Sequence, residues 1–246
     1  MPALVFLDLD GTLVRSNLVH VALHHGARRA TWVGRAGHVM GLALGAPGLA
    51  VLDRVSRSAF QDILFRSFQG LSEDRLRWLG EHAVEHMLMP RMRAGTPDLL
   101  DRLRRADLEP VLVTGNLAHV VAPFAKALGI ARWYANALEM HRGEATGRLA
   151  PPLRTGANKA AIIRAECAEH GVDPEDCHAY SDSFADLPML SAVGHPCAVH
   201  PDVGLREEAR ANHWPILDLD REAEAHGAFA RAEALLEGAL SNMVAG

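Results

Sequence analysis

Short apolar runs that end in polar residues are the feature that most constrains this chain. Ala3–Leu7 is such a run, and it leads directly into Asp8 and Asp10. Unbroken apolar runs of this length are typical of strands buried on both faces of a parallel sheet. The later runs of the same kind are Pro110–Val113, Cys177–Tyr180, Pro196–Val199 and Pro215–Leu219.

Helical patterns lie between these runs, so strands and helices alternate along most of the chain. Such alternation predicts an α/β fold with a mainly parallel sheet. Trp133–Leu149 instead predicts a short hairpin, with Arg142-Gly143 as its turn. The predicted helices are Pro97–Ala106, Ala118–Leu128, Asn158–His170 and Asp186–Ala192.

The interval between the first two runs is too long for a simple connection. Roughly ninety residues intervene, most with helical periodicity, whereas a crossover needs about a dozen residues or a little more. The sequence therefore predicts a core formed by residues 1–14 and 93–246. Residues 15–92 are predicted to be a helical subdomain inserted after the first strand.

One part of this insert, residues 31–52, is strongly apolar and approaches the length of a membrane span. Arg35 and His38 interrupt it, as do several glycines and a proline, and a single span would separate the first strand from its sheet. We therefore interpret it as a buried helix pair. The alternative is an exposed apolar face for a partner, a substrate tail or a membrane surface.

Composition excludes several classes of protein. The 246 residues are 49% hydrophobic and 22% charged, which is typical of a globular protein rather than a disordered one. A formal net charge of −5 gives no basic footprint for nucleic acid. Three cysteines are too few for a disulfide framework and fit a reducing compartment. Because no signal-peptide pattern opens the chain, we expect a cytoplasmic protein; its oligomeric state leaves no signal in the sequence.

Carboxylates cluster where the predicted strands end. Asp8 and Asp10 are two residues apart, so they project to the same side of an extended chain. An acidic pair there needs an offsetting charge, and a hard cation is the usual one. Asp182 follows the third run in the same way. Asp186, taken alone, is equally explained as the cap of the next helix.

Two further segments have the chemistry to bind an anion. Thr114, with the amides of Gly115 and Asn116, ends the second run and leads toward a helix, although this is also ordinary connection chemistry. Lys159 falls in the first turn of a predicted helix, where the helix dipole opposes a cation. The chain has only two lysines against twenty-three arginines, so a lysine placed there indicates a nearby carboxylate or phosphate.

In this order the segments resemble the four motifs of the haloacid dehalogenase superfamily, and the resemblance spans almost the whole chain. Asp8 and Asp10 match the first, Thr114 the second and Lys159 the third; Asp182 and Asp186 match the acidic fourth motif. The segments 144–152 and 180–190 are similar to the phosphoserine phosphatase-like branch, subfamily IB. The resemblance implies a Rossmann-like three-layer core with an inserted helical cap.

The resemblance also implies a Mg²⁺-dependent phosphatase acting on a small phosphorylated metabolite. Asp8 would attack phosphorus to form an aspartyl-phosphate, and Asp10 would act as general acid and base. Asp8, the backbone carbonyl of Asp10 and Asp182 would hold Mg²⁺. Thr114 and Lys159 would bind phosphoryl oxygens, and Asp186 would orient Lys159 or a metal-bound water.

One departure concerns the substrate. Phosphoserine phosphatases carry a glutamate shortly after the first motif that recognises the substrate amine, whereas residues 14–18 here contain no carboxylate. The identity of the phosphorylated substrate is therefore left open, and we expect phosphoserine to be used less well than at least one other small phosphomonoester. Arg15 and Arg66 are the candidates for contacting an anionic leaving group, although a solvated role fits Arg66 equally.

Three other functions compete with a phosphatase. A phosphomutase or phosphotransferase would use the same aspartyl-phosphate but exclude water. A non-catalytic binding protein could keep the fold, but every motif position is filled. Residues 82–86 match the HxxEH pattern of inverted zinc proteases, with His82 and His86 on one helical face. Because histidine is abundant here, with fourteen in all, we interpret them as a polar helix face.

Overall fold

A mainly parallel sheet forms the centre of the protein, which a computed structural model describes for residues 2–26 and 64–221. In the described residues the strand order is β4-β3-β2-β1-β5-β6-β7, and β3 and β4 form the antiparallel pair. The strands, numbered along the chain, are β1 (Ala3–Leu7), β2 (Leu108–Leu117), β3 (Arg132–His141), β4 (Glu144–Ala150), β5 (His178–Ser181), β6 (His195–Val199) and β7 (Ile216–Leu217).

Helices cover both faces of this sheet. The described residues also form short helical turns at Val84–Leu88, Met89–Arg91, Pro174–Asp176 and Phe184–Asp186. The described α-helices are α1 (Leu18–Gly26), α2 (Glu73–Ala83), α3 (Thr96–Arg105), α4 (Ala118–Ala127), α5 (Ala157–His170), α6 (Leu187–Leu190) and α7 (Val203–Ala211).

Strand β1 shows why the core has three layers. Its side chains alternate between two apolar clusters: Val5 and Leu7 pack on one side of the sheet with residues of α3 and α4. Leu4 and Phe6 pack on the other side with residues of α5, α6 and α7. Because both faces of β1 are fully buried, the strand is apolar throughout, as a central strand of a parallel sheet must be. The predicted three-layer α/β core is confirmed.

The predicted elements are found, but some boundaries differ. Strand β2 extends beyond the apolar run at both ends, so Thr114, Gly115 and Asn116 lie within an irregular end of the strand rather than at the start of a helix. The last predicted helix is shortened to α6 and is preceded by the turn Phe184–Asp186. The predicted hairpin is formed by β3 and β4, and both turn residues, Arg142 and Gly143, have positive φ.

The chain leaves and re-enters the core at one place. Val14 pairs with Met92 in an antiparallel bridge, and the Leu13 carbonyl accepts hydrogen bonds from the amide of Arg93 and the hydroxyl of Thr96, each at 2.9 Å. In the described part of the inserted segment, α2 packs on α4. The apolar segment 31–52 lies outside the described residues. Among the described helices, none combines the length and the apolar character needed to cross a membrane.

Helices α2 and α4 approach closely at Gly80. A methyl group on Gly80 would lie 1.7 Å from the backbone carbonyl oxygen of His119, which cannot rotate away. In a free helix Gly→Ala stabilises by roughly 1 kcal/mol. Here we expect Gly80→Ala to destabilise by about 1–3 kcal/mol, because α2 must move off α4.

Thermal denaturation followed by circular dichroism measures this effect. Glu81→Ala, at the exposed next position of the same helix, is the matched control and should leave the melting temperature nearly unchanged. If Gly80→Ala melted at or above the wild-type temperature, the close packing of α2 on α4 would be wrong.

Candidate active site

The carboxyl ends of β1, β2 and β5 bring the predicted motif residues together. Asp8 follows β1, Thr114 lies near the end of β2, and Asp182 follows β5. Strand order reverses beside β1, since β2 and β3 lie on one side of it and β5 to β7 on the other. Open α/β sheets bind ligands at the carboxyl ends of strands at such a reversal.

Lys159, in the first turn of α5, is the cation of this site. Its Nζ lies 2.7 Å from Oδ1 of Asp8 and 2.8 Å from Oδ2 of Asp186. The hydroxyl of Ser181 donates a second hydrogen bond to Oδ2 of Asp186, at 2.7 Å. Burial would lower the pKa of Lys159, but the charges of Asp8 and Asp186 outweigh it, so its pKa is raised and the ammonium stays charged.

The carboxylates outnumber this cation. Lys159 forms ion pairs with Asp8 and Asp186. Two further carboxylates, Asp10 and Asp182, lie close enough to Asp8 for its charge to raise their pKa values. Burial, opposed by Lys159, raises the pKa of Asp8. Burial and the charges of Asp8 and Asp186 raise the pKa of Asp182 to about 8. The site therefore carries excess negative charge that a bound cation would offset.

Asp10 is held by Asn116. Its Oδ2 accepts a hydrogen bond of 2.8 Å from the side-chain amide of Asn116. Its Oδ1 is buried and accepts no hydrogen bond in the described part of the chain. Burial and the neighbouring charge of Asp8 raise the pKa of Asp10 to about 7. Near neutral pH this carboxyl group can therefore both donate and accept a proton.

The residues at this rim fit a hard cation. The hydroxyl of Thr12 lies 3.4 Å from Oδ2 of Asp8 and 3.3 Å from Oδ1 of Asp182, so these two carboxylates face the same small volume. Gly11 leaves room for the Asp182 carboxylate, because a methyl group on Gly11 would lie 1.9 Å from Oδ2 of Asp182. Carboxylate and carbonyl oxygens are the ligands that Mg²⁺ prefers, so Asp8, Asp182 and the backbone carbonyl of Asp10 could hold it.

One donor of the anion-binding segment predicted at Thr114, Gly115 and Asn116 is already used within the protein. The amide of Asn116, predicted to face a ligand, instead donates to the hydroxyl of Thr114 at 3.1 Å. Asn116 enters the site through its side chain, which the sequence argument did not anticipate. Asn136 was also missed: its buried amide donates to the Gly115 carbonyl at 2.8 Å and accepts from the Arg154 amide at 2.7 Å.

A family model described as haloacid dehalogenase-like hydrolase matches residues 5–191. The chain belongs to this family. The match contains all four motif segments, and it confirms the family predicted from them.

Curated relatives of this haloacid dehalogenase-like hydrolase include proteins of mycobacteria. It is 30% identical over 225 residues to phosphoserine phosphatase SerB1 of Mycobacterium tuberculosis, covering 89% of this chain and 71% of SerB1. It is 36% identical over 147 residues to a probable phosphatase of the same organism, covering 60% of this chain and 51% of that protein. The chain thus spans about half the length of the latter relative.

A solved structure has the same fold. A protein of unknown function from Bordetella pertussis Tohama I superimposes with a TM-score of 0.77 at 26% sequence identity, covering 89% of this chain and 99% of that one. The three-layer core of this hydrolase is therefore shared with an experimentally determined relative.

The two arginines predicted to contact substrate have different surroundings. Arg15 is largely exposed, and its Nη2 forms an ion pair of 2.9 Å with Asp220, just beyond β7. Arg66 is exposed. Its backbone lies near β4, because a methyl group on Gly147 would lie 3.1 Å from the Arg66 Cα, and its side chain forms no hydrogen bond or ion pair with another described residue. Their substrate contacts stay predictions.

The histidines of the HxxEH pattern stack on each other. The rings of His82 and His86 lie 4.0 Å apart at an angle of 24°. Nδ1 of His82 lies 3.2 Å from Nε2 of His24, and Nδ1 of His86 lies 3.2 Å from the carbonyl of His82. These nitrogens thus contact groups of the protein itself, which agrees with the interpretation of a polar helix face.

The raised carboxyl pKa values predict how stability depends on pH without metal. Asp182 has an ordinary pKa of 3.8 and a folded pKa of about 8, so between these values the folded state binds a proton that the unfolded state has lost. Stability therefore falls as pH rises through this range. We expect the metal-free protein to melt about 2–4 °C lower at pH ~8.5 than at pH ~6.5, as roughly 1 kcal/mol produces in a chain of this size.

Saturating Mg²⁺ should recover most of this loss at the higher pH, because the ion binds the ionised carboxylates. The control is Asp182→Asn, which removes one repelling charge and one ligand. We expect a weaker pH dependence for this variant and little stabilisation by Mg²⁺, both measured by differential scanning calorimetry. A wild-type melting temperature unaffected by Mg²⁺ at the higher pH would contradict the cation site.

Proposed function

We propose that this protein is a Mg²⁺-dependent phosphatase that hydrolyses a small phosphomonoester through an aspartyl-phosphate on Asp8. The observation that carries the proposal is the buried contact between Lys159 and Asp8, with the carboxyl group of Asp10 nearby. The names of its relatives, a phosphoserine phosphatase and a probable phosphatase, support the same reaction class.

In the first step a carboxylate oxygen of Asp8 attacks phosphorus, and the bond from phosphorus to the leaving oxygen breaks. Asp10, protonated in part near neutral pH, gives its proton to that leaving oxygen. Since Oδ2 of Asp10 accepts the hydrogen bond from Asn116, Oδ1 is the oxygen positioned to carry this proton. The products are an alcohol and the phosphorylated Asp8.

In the second step the same residue acts as a base. Asp10, now ionised, takes a proton from water as the water oxygen attacks phosphorus. The bond between phosphorus and Asp8 breaks, which releases inorganic phosphate and restores both carboxyl groups. Because the pKa of Asp10 lies near 7, the proton is transferred in either direction at little cost.

Other residues bind the phosphoryl group. Lys159 places a positive charge beside Asp8, which permits an anionic nucleophile to meet an anionic substrate, and Asp186 fixes the ammonium there. Thr114 contributes its hydroxyl. Asp8, Asp182 and the Asp10 carbonyl would hold Mg²⁺, which when bound supplies positive charge to the phosphoryl oxygens.

The inserted segment is proposed to select the substrate. The division into a core of residues 1–14 and 93–246 and a cap of residues 15–92 is supported by the bridge between Val14 and Met92, where the chain leaves and returns. The four motifs contact only the phosphoryl group, so the alcohol must be recognised by the cap and the loop after Asp10. This loop lacks the carboxylate that would bind an amine.

Substitution of the two aspartates should give different defects. Asp8→Asn removes the nucleophile, so turnover of p-nitrophenyl phosphate with Mg²⁺ should fall to background. Asp10→Asn keeps the nucleophile and should slow turnover by about 10²–10⁴-fold. With this activated leaving group, which needs no proton, the first step should survive as a burst in stopped-flow absorbance.

Asp176→Asn is the matched control, because it makes the same change at an exposed carboxylate. Asp176 precedes β5, whereas the site residues lie where the strands end. The variant should keep wild-type kcat, and EDTA should abolish that activity until Mg²⁺ is restored. An Asp8→Asn enzyme that kept more than a small fraction of wild-type turnover would exclude Asp8 as the nucleophile.

The missing carboxylate predicts the substrate preference. In a screen of phosphorylated metabolites, phosphoserine should be a poorer substrate by kcat/KM than at least one other small phosphomonoester. Arg66→Ala should raise KM for the preferred metabolite more than for p-nitrophenyl phosphate, since only the former has a group for the cap to bind. If phosphoserine were the best substrate of all, the specificity argument would be wrong.

A further inference from the structure

A single carboxylate outside the motifs binds both connections between the core and the inserted segment. Oδ1 of Asp220 lies 2.9 Å from Nη2 of Arg15, where the chain leaves the core, and accepts a hydrogen bond of 3.1 Å from the Ala94 amide, where it returns. Oδ2 of Asp220 accepts a bond of 2.9 Å from Nη1 of Arg93. These contacts join the end of the described chain to both connections.

Arg93 connects Asp220 to the active site. Its side chain is only 12% exposed, and its Nε donates to the Gly11 carbonyl at 2.9 Å, with Nη2 bonded to the same oxygen. A guanidinium can hold a carbonyl and a carboxylate together because its donors are fixed in one plane. Gly11 directly follows Asp10, so Arg93 holds the peptide next to the proposed acid and base.

The Cα of Gly11 lies close to the carboxylate of Asp182. Gly11 has a φ of +82°, which favours glycine, and a methyl group there would overlap the carboxylate of Asp182. Gly11 is therefore bound by Arg93 through its carbonyl and lies next to the carboxylate of Asp182. If it moved, it would carry Asp10 with it and change the space around Asp182.

We propose that Arg93 and Asp220 are a positioning pair for the reaction: they fix the Gly11 peptide, and through it Asp10 and the cation site, to the two connections of the inserted segment. Neither residue touches the substrate. The proposal rests on the proposed phosphatase function for its kinetic consequence, whereas the restraint on the 8–16 loop does not depend on that function.

Arg93→Gln removes the charge and the planar set of donors but keeps a side chain of similar length. We expect kcat for p-nitrophenyl phosphate to fall on the order of 10- to 100-fold, because small displacements of a reacting group have effects of that size. KM should change much less, and the Mg²⁺ concentration for half-maximal activity should rise. Arg93→Lys should not restore kcat, since one ammonium cannot replace the planar donors.

Asp220→Asn tests the other half of the pair. Because it acts through Arg93, its effect on kcat should be largely absent when Arg93 is already glutamine, so the double variant should resemble Arg93→Gln alone. The matched control is Glu109→Gln, which breaks the 2.8 Å ion pair between Glu109 and Arg132 at the opposite end of the sheet. It should leave kcat and the Mg²⁺ requirement unchanged.

Hydrogen–deuterium exchange of the metal-free proteins separates this proposal from the proposed function. Amides of residues 8–16 should exchange faster in Arg93→Gln and Asp220→Asn than in wild type or Glu109→Gln, at temperatures where all four are folded. Unchanged exchange in this loop would overturn the positioning role, even if kcat fell. Faster exchange in a protein with no wild-type phosphatase activity would support the restraint and refute the phosphatase.

Discussion

The ion pair between Lys159 and Asp8 is the contact on which the site depends. Neither charge could be buried alone, since an unpaired ion in the interior costs several kcal/mol. The helix dipole opposes a cation in the first turn of α5, so Lys159 is stable there only because Asp8 and Asp186 flank it at 2.7 and 2.8 Å. The contact requires β1 and β5 to be neighbours in the sheet and α5 to pack against them, and the fold has both features.

The sequence was sufficient to predict the core and the converging motifs. Apolar strands that end in Asp8 and Asp182 identify one edge of a parallel sheet, and Lys159 stands out in a chain that otherwise uses arginine. Strand limits were less well predicted. Strand β2 continues through Thr114 to Leu117 because backbone pairing does not require apolar side chains, whereas the prediction followed apolar residues alone.

The contacts that the sequence did not predict join residues far apart in the chain. Arg93 and Asp220 are separated by 127 positions, and Asn116 and Asp10 by 106, so no local pattern relates them. Arg15 shows the same limit, because it pairs with Asp220, which only the folded chain brings near. Such contacts set the position and the pKa of groups whose identity the motifs already indicate.

Direct chemical trapping of the phosphoenzyme tests whether Asp8 is the nucleophile. The wild-type protein, mixed with Mg²⁺ and a substrate that it turns over, would be quenched into sodium borohydride, which reduces an aspartyl-phosphate to homoserine, and then digested for peptide mass spectrometry. We expect homoserine at position 8 and at no other aspartate. Turnover without homoserine at position 8, or with the label at another carboxylate, would contradict this expectation.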